Sequence, residues 1–220
     1  RGDFGTSVYT QRPVFHTILK KFPLDLEIAI MAVFFTAVTG IPGGLVAAKY
    51  QNKMPDHVIR VVSVVGIATP TFWIAILMII GLVAFFNWIP TINYYHIWED
   101  PRLNLQQLIL PALVTGVRQT AVVSRMTRAT ILEVIREDYI RTAHAKGLTE
   151  GAVLYRHALK NAMLPVITIL GIEFGIAFGS LVVTETVFNL PGIGTLLVQA
   201  IARRDYPTIQ GVALFIAFGV

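Results

Sequence analysis

Long stretches without a charged residue alternate with polar segments along most of the chain. Residues 28–48 and 61–98 contain no Lys, Arg, Asp or Glu, and a membrane-spanning helix needs about 20 mostly apolar residues. The pattern predicts four complete spans and the start of a fifth, at about 26–48, 61–89, 105–124, 163–183 and from 211 onward. Because the last apolar stretch, 211–220, is too short to span, we expect the chain to be a fragment that ends inside a helix.

The composition favours a membrane protein over a soluble one. Of the 220 residues, 55% are hydrophobic and 14% are charged, with a mean hydropathy of +0.65, whereas soluble domains carry about 25% charged residues. The absence of cysteine excludes disulfides, thiolate metal sites and cysteine nucleophiles. The net charge of +5 does not indicate nucleic acid, because the basic residues lie between the apolar stretches, where they set membrane orientation.

The distribution of Lys and Arg predicts which polar segments are cytoplasmic. Segments 49–60 and 118–160 together contain eleven basic residues, whereas segments 89–107 and 184–210 contain three. Cytoplasmic loops carry the excess of Lys and Arg in membrane proteins. We therefore expect the first pair of segments to face the cytoplasm and the second pair to face outward.

Three residues within or beside the spans are candidates for a transport path. Pro70 interrupts the second span and predicts either a kink for helix packing or a substrate-path role. Glu173 lies in the fourth span, where a charge costs about 2.5–3.5 kcal/mol on insertion scales, so it should face the bundle interior or water. A helix–helix hydrogen bond and a lining of the path both remain open for Glu173. Glu185 lies at the outer end of the same span.

No pattern in the sequence indicates an enzyme. The five histidines form no His-Glu-x-x-His motif, and a phosphate-binding Gly-x-x-x-x-Gly-Lys-Ser/Thr loop is absent. We therefore expect no catalytic residue, metal or cofactor, and no ATPase activity of the chain itself. Two alternatives remain, an ion-coupled transporter that works through Glu173 and an intramembrane hydrolase, although the second lacks a nucleophile–base pair.

The longest polar segment, 125–161, predicts a compact helical knob. A helix over 138–146 would be interrupted at Gly147, where a left-handed backbone costs little, and a second helix would return to the membrane at Pro165. The small side chains of Ala143 and Ala145 favour insertion into a groove on a partner protein. The alternative is a solvated linker, which would need neither the alanines nor the glycine.

Residues 125–165 resemble the EAA loop of binding-protein-dependent ABC importer permeases. The segments that match the dipeptide, oligopeptide and nickel branch of that family are 138–148, with Asp-Tyr-Ile-Arg-Thr-Ala-His-Ala-Lys-Gly-Leu, and 156–165, with Arg-His-Ala-Leu-Lys-Asn-Ala-Met-Leu-Pro. Further stretches fall in the family's order, among them 68–73, 184–188, 190–194 and 204–207. The similarity therefore extends over essentially the whole chain.

The resemblance implies an all-α, polytopic transmembrane bundle of the ABC importer permease type. Residues 1–220 would form a single transmembrane domain with five spans, the last incomplete, and the intact subunit would have six. The loop over 125–165 would couple the chain to ATPase subunits. The residues that the resemblance assigns to this contact are Asp138, Tyr139, Arg141, Thr142, Ala143, Ala145, Lys146 and Gly147.

The same resemblance implies the partners and the class of substrate. A second homologous permease, two ATP-hydrolysing subunits and an extracytoplasmic binding protein would complete the transporter in the bacterial inner membrane. The family motif around Glu185 suggests an outer gate or a contact with the binding protein. Dipeptides, longer peptides, nickel chelates and glutathione are all substrates within the family, and a peptide is the expected one.

Overall fold

A computed structural model describes residues 4–87 and 94–219, and these residues form helices connected by short turns. The helices are α1 (Val14–Lys49), α2 (Met54–Ala68), α3 (Thr71–Phe86), α4 (Pro101–Val134), α5 (Asp138–Ala145), α6 (Glu150–Ala152), α7 (Leu159–Phe188), α8 (Ile193–Ala202) and α9 (Tyr206–Gly219). A π-helical segment, Val153–Ala158, joins α6 to α7 without a break. The described part of the chain contains no β-strand.

Two helices among the described residues are long and apolar enough to cross a membrane. They are α1 and the continuous helix Glu150–Phe188, and the interrupted pair of α2 and α3 gives a third if it counts as one span. The helix α4 does not meet the same criterion, because polar residues such as Gln107 and Gln119 are spread along it. An all-helical membrane protein is therefore confirmed, whereas the number of five spans remains a prediction.

The predicted spans fall inside helices whose ends lie elsewhere. The helix α1 begins at Val14, twelve residues before the predicted start, and α4 continues to Val134, ten residues past the predicted end. Thr69 and Pro70 separate α2 from α3, so the second predicted span is interrupted where its proline lies. Proline has no backbone N–H and fixes its own φ, so it begins a helix readily. The predicted end of this span at Ile89 lies outside the described residues.

The chain divides into two compact units. The first unit comprises residues 1–32, 70–115 and 174–220, and the second comprises residues 33–69 and 116–173. The core of the first unit contains Leu24, Ile28, Leu108, Leu181 and Phe188, and a smaller cluster contains Val14, Ile18, Ile193 and Val212. The core of the second unit lies around α5 and is described below.

Within the second unit, α1 and α4 contact each other through small residues. A Cβ atom on Gly44 would lie 2.5 Å from the carbonyl oxygen of Ser124, so only glycine allows this approach of the two backbones. The hydroxyls of Thr39 and Thr120 are 3.0 Å apart on the same pair of helices. Small residues and hydroxyls that hydrogen-bond between helices are typical of association within membranes. Helix packing therefore accounts for Gly44 without a role in transport.

Candidate functional site

The predicted knob is present in the second unit, where the eight-residue helix α5 packs on a core of its own. Ile140 and Ala143 are the buried residues of α5. They belong to a cluster drawn from α1, α4, the π-helical segment and α7, whose other buried members are Leu45, Ala48, Ile131, Val153, Leu154, Ala158 and Ala162. The alternation of buried and exposed positions in α5 follows the period of an amphipathic helix. A solvated linker would have no such core.

The opposite face of α5 is open. Asp138, Tyr139, Arg141, Thr142 and Ala145 are exposed, as are Lys146 and Gly147 directly after the helix. Arg141 approaches Asp138 at 3.5 Å, but both side chains are about four-fifths exposed or more, at 79% and 96%. An ion pair this exposed adds little stability. These side chains are therefore available to another molecule.

The structure separates two residues that the sequence analysis treated together. Ala145 is exposed, whereas Ala143 is only 6% exposed and lies in the core beneath α5. The expectation that both alanines face a partner's groove is therefore wrong for Ala143. Its small size serves the packing of α5 on its own chain, because a larger side chain would have to displace the buried cluster.

Gly147 ends the knob's first helix in a left-handed conformation, with φ of +77°. A Cβ atom at this position would meet nothing within 4 Å, so the neighbouring atoms do not require glycine. The requirement for glycine is conformational, since L side chains are disfavoured at positive φ. The open space beside Gly147 leaves room for a partner to approach the backbone closely.

Two polar contacts join α5 to the helix that follows. The hydroxyl of Tyr139 accepts a hydrogen bond of 2.7 Å from Nδ2 of Asn161. Nδ1 of His144 lies 3.5 Å from Oε1 of Glu150, on the far side of the turn at Gly147. The hydroxyl of Thr149 also accepts from the amide of Ala152 and caps α6. These contacts therefore hold α5 against the following helix at Tyr139 and again beside the turn at Gly147.

The three path candidates lie in different surroundings. Pro70 is exposed at the N-terminus of α3. Glu173 is 6% exposed, and its backbone carbonyl accepts a hydrogen bond of 2.9 Å from Nε2 of Gln119 on α4. The burial of Glu173 agrees with the expectation that it avoids lipid.

Glu185 holds the N-terminus of α8 in the first unit. Its side chain is fully buried, and its two oxygens accept hydrogen bonds from the amides of Gly194 at 3.2 Å and Thr195 at 2.8 Å. Asp25 of α1 accepts from the next free amide, that of Ile193, at 3.3 Å. The first amides of a helix have no partner within the helix and carry partial positive charge, so carboxylates stabilise them. Glu185 therefore has a structural role at the start of α8, and its role at an outer gate stays a prediction.

The sequence analysis missed several buried polar residues. Asp25 is 2% exposed and Asp56 is 0% exposed, and both stand at the edge of an uncharged stretch, which is the signal that could have found them. Glu27 accepts hydrogen bonds from Asn104 at 2.7 Å and from the hydroxyl of Tyr94 at 3.2 Å. Burial raises the pKa of Tyr94, and the charge of Glu27 raises it further.

Asp205 ties the N-terminal segment to the loop between α8 and α9. Its carboxylate accepts hydrogen bonds from the hydroxyls of Ser7 and Thr208 and from the amide of Val8. Burial acts to raise the pKa of Asp205, but these donors outweigh it and hold the pKa below its usual value. The sequence gave no signal for this contact, because Ser7 and Asp205 are 198 residues apart.

Known proteins match the chain over nearly all of its length. The family of binding-protein-dependent transport system inner membrane components matches residues 40–220. The di/tripeptide transport system permease protein DppB of Pseudomonas aeruginosa is 37% identical over an aligned length of 237 residues. The alignment covers 99% of this chain and 70% of DppB. The glutathione transport system permease protein GsiC of Escherichia coli is 40% identical over 210 residues. These residues cover 96% of this chain and 66% of GsiC.

The chain belongs to this family of transport permeases and is a multi-pass protein of the bacterial inner membrane. It spans about two thirds of the length of the curated relatives, 66% of GsiC and 70% of DppB. The family consists of transport components and not of enzymes. The predicted family is confirmed, and the resemblance seen in 125–165 lies within the matched residues.

Proposed function

We propose that this chain is the permease subunit of an ATP-driven importer of di- and tripeptides, and that residues 125–165 couple it to the ATPase subunits. The observation that supports the proposal is the mounting of α5, which buries one face on its own chain and presents the other to solvent. The relatives support the substrate class, because their names refer to di- and tripeptides and to glutathione, itself a tripeptide. Longer peptides and nickel chelates are less well supported.

The buried face of α5 gives a physical route for coupling. Ile140 contacts a cluster that includes Leu45 of α1, Ile131 of α4 and Ala162 of α7. Packed cores resist compression, so a displacement of α5 is transmitted to these helices and is not absorbed locally. ATP binding and release would then bias two arrangements of the transmembrane helices, which is how a ligand shifts a rigid-body equilibrium.

The exposed face of α5 has the chemistry of an interface. Arg141 is free to make a charge-assisted, bidentate hydrogen bond to a carboxylate of the ATPase. The ring of Tyr139 is 40% exposed while its hydroxyl is held by Asn161, so it offers apolar area in a fixed orientation. Tyr and Arg are enriched among the residues that dominate binding energy at interfaces.

The proposed assembly contains this chain, a second homologous permease, two ATPase subunits and an extracytoplasmic binding protein. Residues 1–220 would form one transmembrane domain with five spans, and the intact subunit would have six. Pro70 and Glu173 would line the path between the two permeases. Glu185 would act at the outer side by fixing α8, so that a gate there depends on the hydrogen bonds described above.

Reconstitution of the complete transporter in liposomes tests this proposal. ATP-dependent uptake of labelled di- and tripeptides is expected, together with ATP hydrolysis that the peptide and its binding protein stimulate. The variant Arg141→Ala should lower both rates about tenfold, because it removes a charge-assisted hydrogen bond. The matched control is Arg102→Ala, which removes an exposed arginine outside residues 125–165 and should leave both rates close to normal. Uptake without the ATPase subunits would overturn the proposal and favour an ion-coupled transporter.

A further inference from the structure

A basic cavity in the second unit is lined by no residue of α5, the helix proposed to contact the ATPase. Its volume is about 590 Å³, and residues of α2, α4 and α7 line it. Three arginines contribute to the lining, together with apolar side chains from all three helices. The arginines are Arg60, Arg125 and Arg128, and the apolar residues include Ile67, Val122 and Ile169.

The cavity carries an excess of positive charge. Asp56 neutralises only one of the three arginines, since Arg128 occupies both oxygens of its carboxylate at 2.7 and 2.8 Å. Arg60 approaches Asp56 less closely, at 3.4 Å, and its side chain is 43% exposed. Arg125 is exposed and forms no ion pair with any residue in the described ranges. Nη2 of Arg60 also lies 2.7 Å from Nδ1 of His57. The guanidinium group of Arg125 and the remaining N–H donors of Arg60 are therefore available to an anionic ligand.

Apolar residues follow Arg60 in the predicted second span. Arg60 also lines a neighbouring cavity of about 470 Å³, in which Val61, Val64 and Val65 are the apolar residues. All three valines are more than half exposed, at 57–62% for Val61, Val64 and Val65. The pattern is an anion-binding group next to an apolar surface, which suits an amphiphile and not a small soluble anion.

The arginines also lie where the predicted spans meet the cytoplasm. Arg60 is the last charged residue before the uncharged stretch 61–98, and Arg125 directly follows the predicted third span. Basic pockets between transmembrane helices on this side of a membrane suit the phosphate groups of anionic lipids. The planar guanidinium group binds a phosphate through two parallel hydrogen bonds.

We infer that this cavity binds the headgroup of an anionic phospholipid of the cytoplasmic leaflet, with the phosphate on Arg60 and Arg125 and an acyl chain along Val61, Val64 and Val65. Arg128 positions the site through its ion pair with Asp56 and is not free to bind the lipid. The inference does not depend on the transported substrate, because the lipid belongs to the membrane in which the protein works.

Native mass spectrometry of the purified transporter in mild detergent tests this assignment. Phosphatidylglycerol is titrated against zwitterionic phosphatidylcholine of the same acyl chains. The protein should bind phosphatidylglycerol, and the double variant Arg60→Gln/Arg125→Gln should bind it roughly tenfold or more weakly, since both positive charges beside the lipid phosphate are lost. The control Arg136→Gln/Arg156→Gln loses two exposed arginines elsewhere in the second unit and should bind normally.

Competition experiments distinguish a lipid from a soluble anion as the ligand of this cavity. Inorganic phosphate or a dipeptide that displaces phosphatidylglycerol at millimolar concentration would identify a site for a soluble anion and overturn the assignment. Equal binding of the two lipids would do the same. The variant Arg60→Lys/Arg125→Lys guards against a loss caused by misfolding, because it keeps both charges and should retain most of the binding. Normal lipid binding by the Gln double variant would show that the arginines are not the site.

Discussion

The carboxylate of Asp56 makes two hydrogen bonds to the guanidinium group of Arg128, 2.7 Å to Nε and 2.8 Å to Nη2. The same carboxylate also accepts from the amide of Asn52 at 2.9 Å, and the Asp56 side chain is fully buried. This pair fixes the first turn of α2 to α4 within the second unit. An ion pair of this kind is difficult to break, because either partner alone would be a buried charge without compensation.

The variant Asp56→Ala is therefore expected to destabilise the protein by about 2 kcal/mol or more. Thermal unfolding in detergent, followed by tryptophan fluorescence, measures the effect. The matched control is Asp138→Ala, because Asp138 is 96% exposed and makes only a 3.5 Å contact with Arg141. That control should change stability by less than about 0.5 kcal/mol. Equal unfolding temperatures for the two variants would contradict this prediction.

The buried carboxylate of Glu185 should control the order of α8. Glu185→Ala leaves the amides of Gly194 and Thr195 without acceptors in a buried place, at a cost of about 1–3 kcal/mol. Hydrogen exchange at residues 193–202 should become faster in this variant. Thr186→Ala is the control, since the exposed hydroxyl of Thr186 bonds only to the carbonyl of Val182 in its own helix. Unchanged exchange in α8 of Glu185→Ala would show that the contact is dispensable.

Asp205 should make the anchoring of the N-terminal segment depend on pH. Its pKa in the folded protein lies below the ordinary value of 3.8, so its stabilisation is complete above that value and is lost as the pH falls through the folded pKa. At pH 7 the variant Asp205→Asn should expose the amide of Val8 to faster hydrogen exchange. The difference from the parent protein should shrink below about pH 4.

The variant Ser7→Ala controls for this titration. It removes one donor to Asp205 but leaves the carboxyl group in place, so the anchoring should weaken moderately and still change between pH 7 and low pH. A difference between Asp205→Asn and the parent protein that is the same at all pH values would show that the carboxylate does not control the segment.

The sequence predicted the knob well because its signals are local. The mixed pattern over 138–146 and the glycine at 147 specify a short amphipathic helix and its end without reference to any other segment. The direction of Ala143 could not be predicted in the same way. It depends on residues of other helices that form the surface covered by α5, among them Ile131 of α4 and Leu45 of α1, which lies far away in the chain.

The buried acids show a second limit of the sequence. Asp25 caps a helix that begins 168 residues later, so its partner can be found only once the fold is known. The length of α4 is a related case. Its charged and polar residues after Ser124 lower the hydropathy, but the helix continues to Val134, with Arg128 paired to Asp56 and Ile131 buried. Hydropathy alone therefore ended this helix too early.

Labelling of single cysteines tests the predicted orientation, and the chain has no native cysteine to interfere. The structure shows which positions are accessible: Gln51, Arg102, Glu150 and Asn189 are all exposed. Cysteines at 102 and 189 should react with an impermeant reagent added outside the cell, and those at 51 and 150 should react only after the membrane is opened. The reverse pattern would overturn the orientation and the cytoplasmic position of α5.

The turn at Gly147 allows the role of the knob to be separated from its folding. Because a side chain at 147 would meet nothing within 4 Å and φ is +77°, the fold requires only a residue that accepts a left-handed backbone. Asparagine accepts this conformation far better than valine does. Gly147→Asn should therefore insert and fold almost normally, whereas Gly147→Val should lose about 1–2 kcal/mol.

Both side chains would nevertheless occupy the space that the ATPase is proposed to approach. We therefore expect both variants to reduce co-purification of the ATPase and peptide-stimulated ATP hydrolysis at least threefold. Gly151→Asn is the control, because Gly151 is also exposed with open space around it but lies in the ordinary helical conformation of α6. Loss of coupling in Gly147→Val alone would mean that the glycine serves only the turn. Loss in both variants, with Gly151→Asn unaffected, would place the partner against the backbone at residue 147.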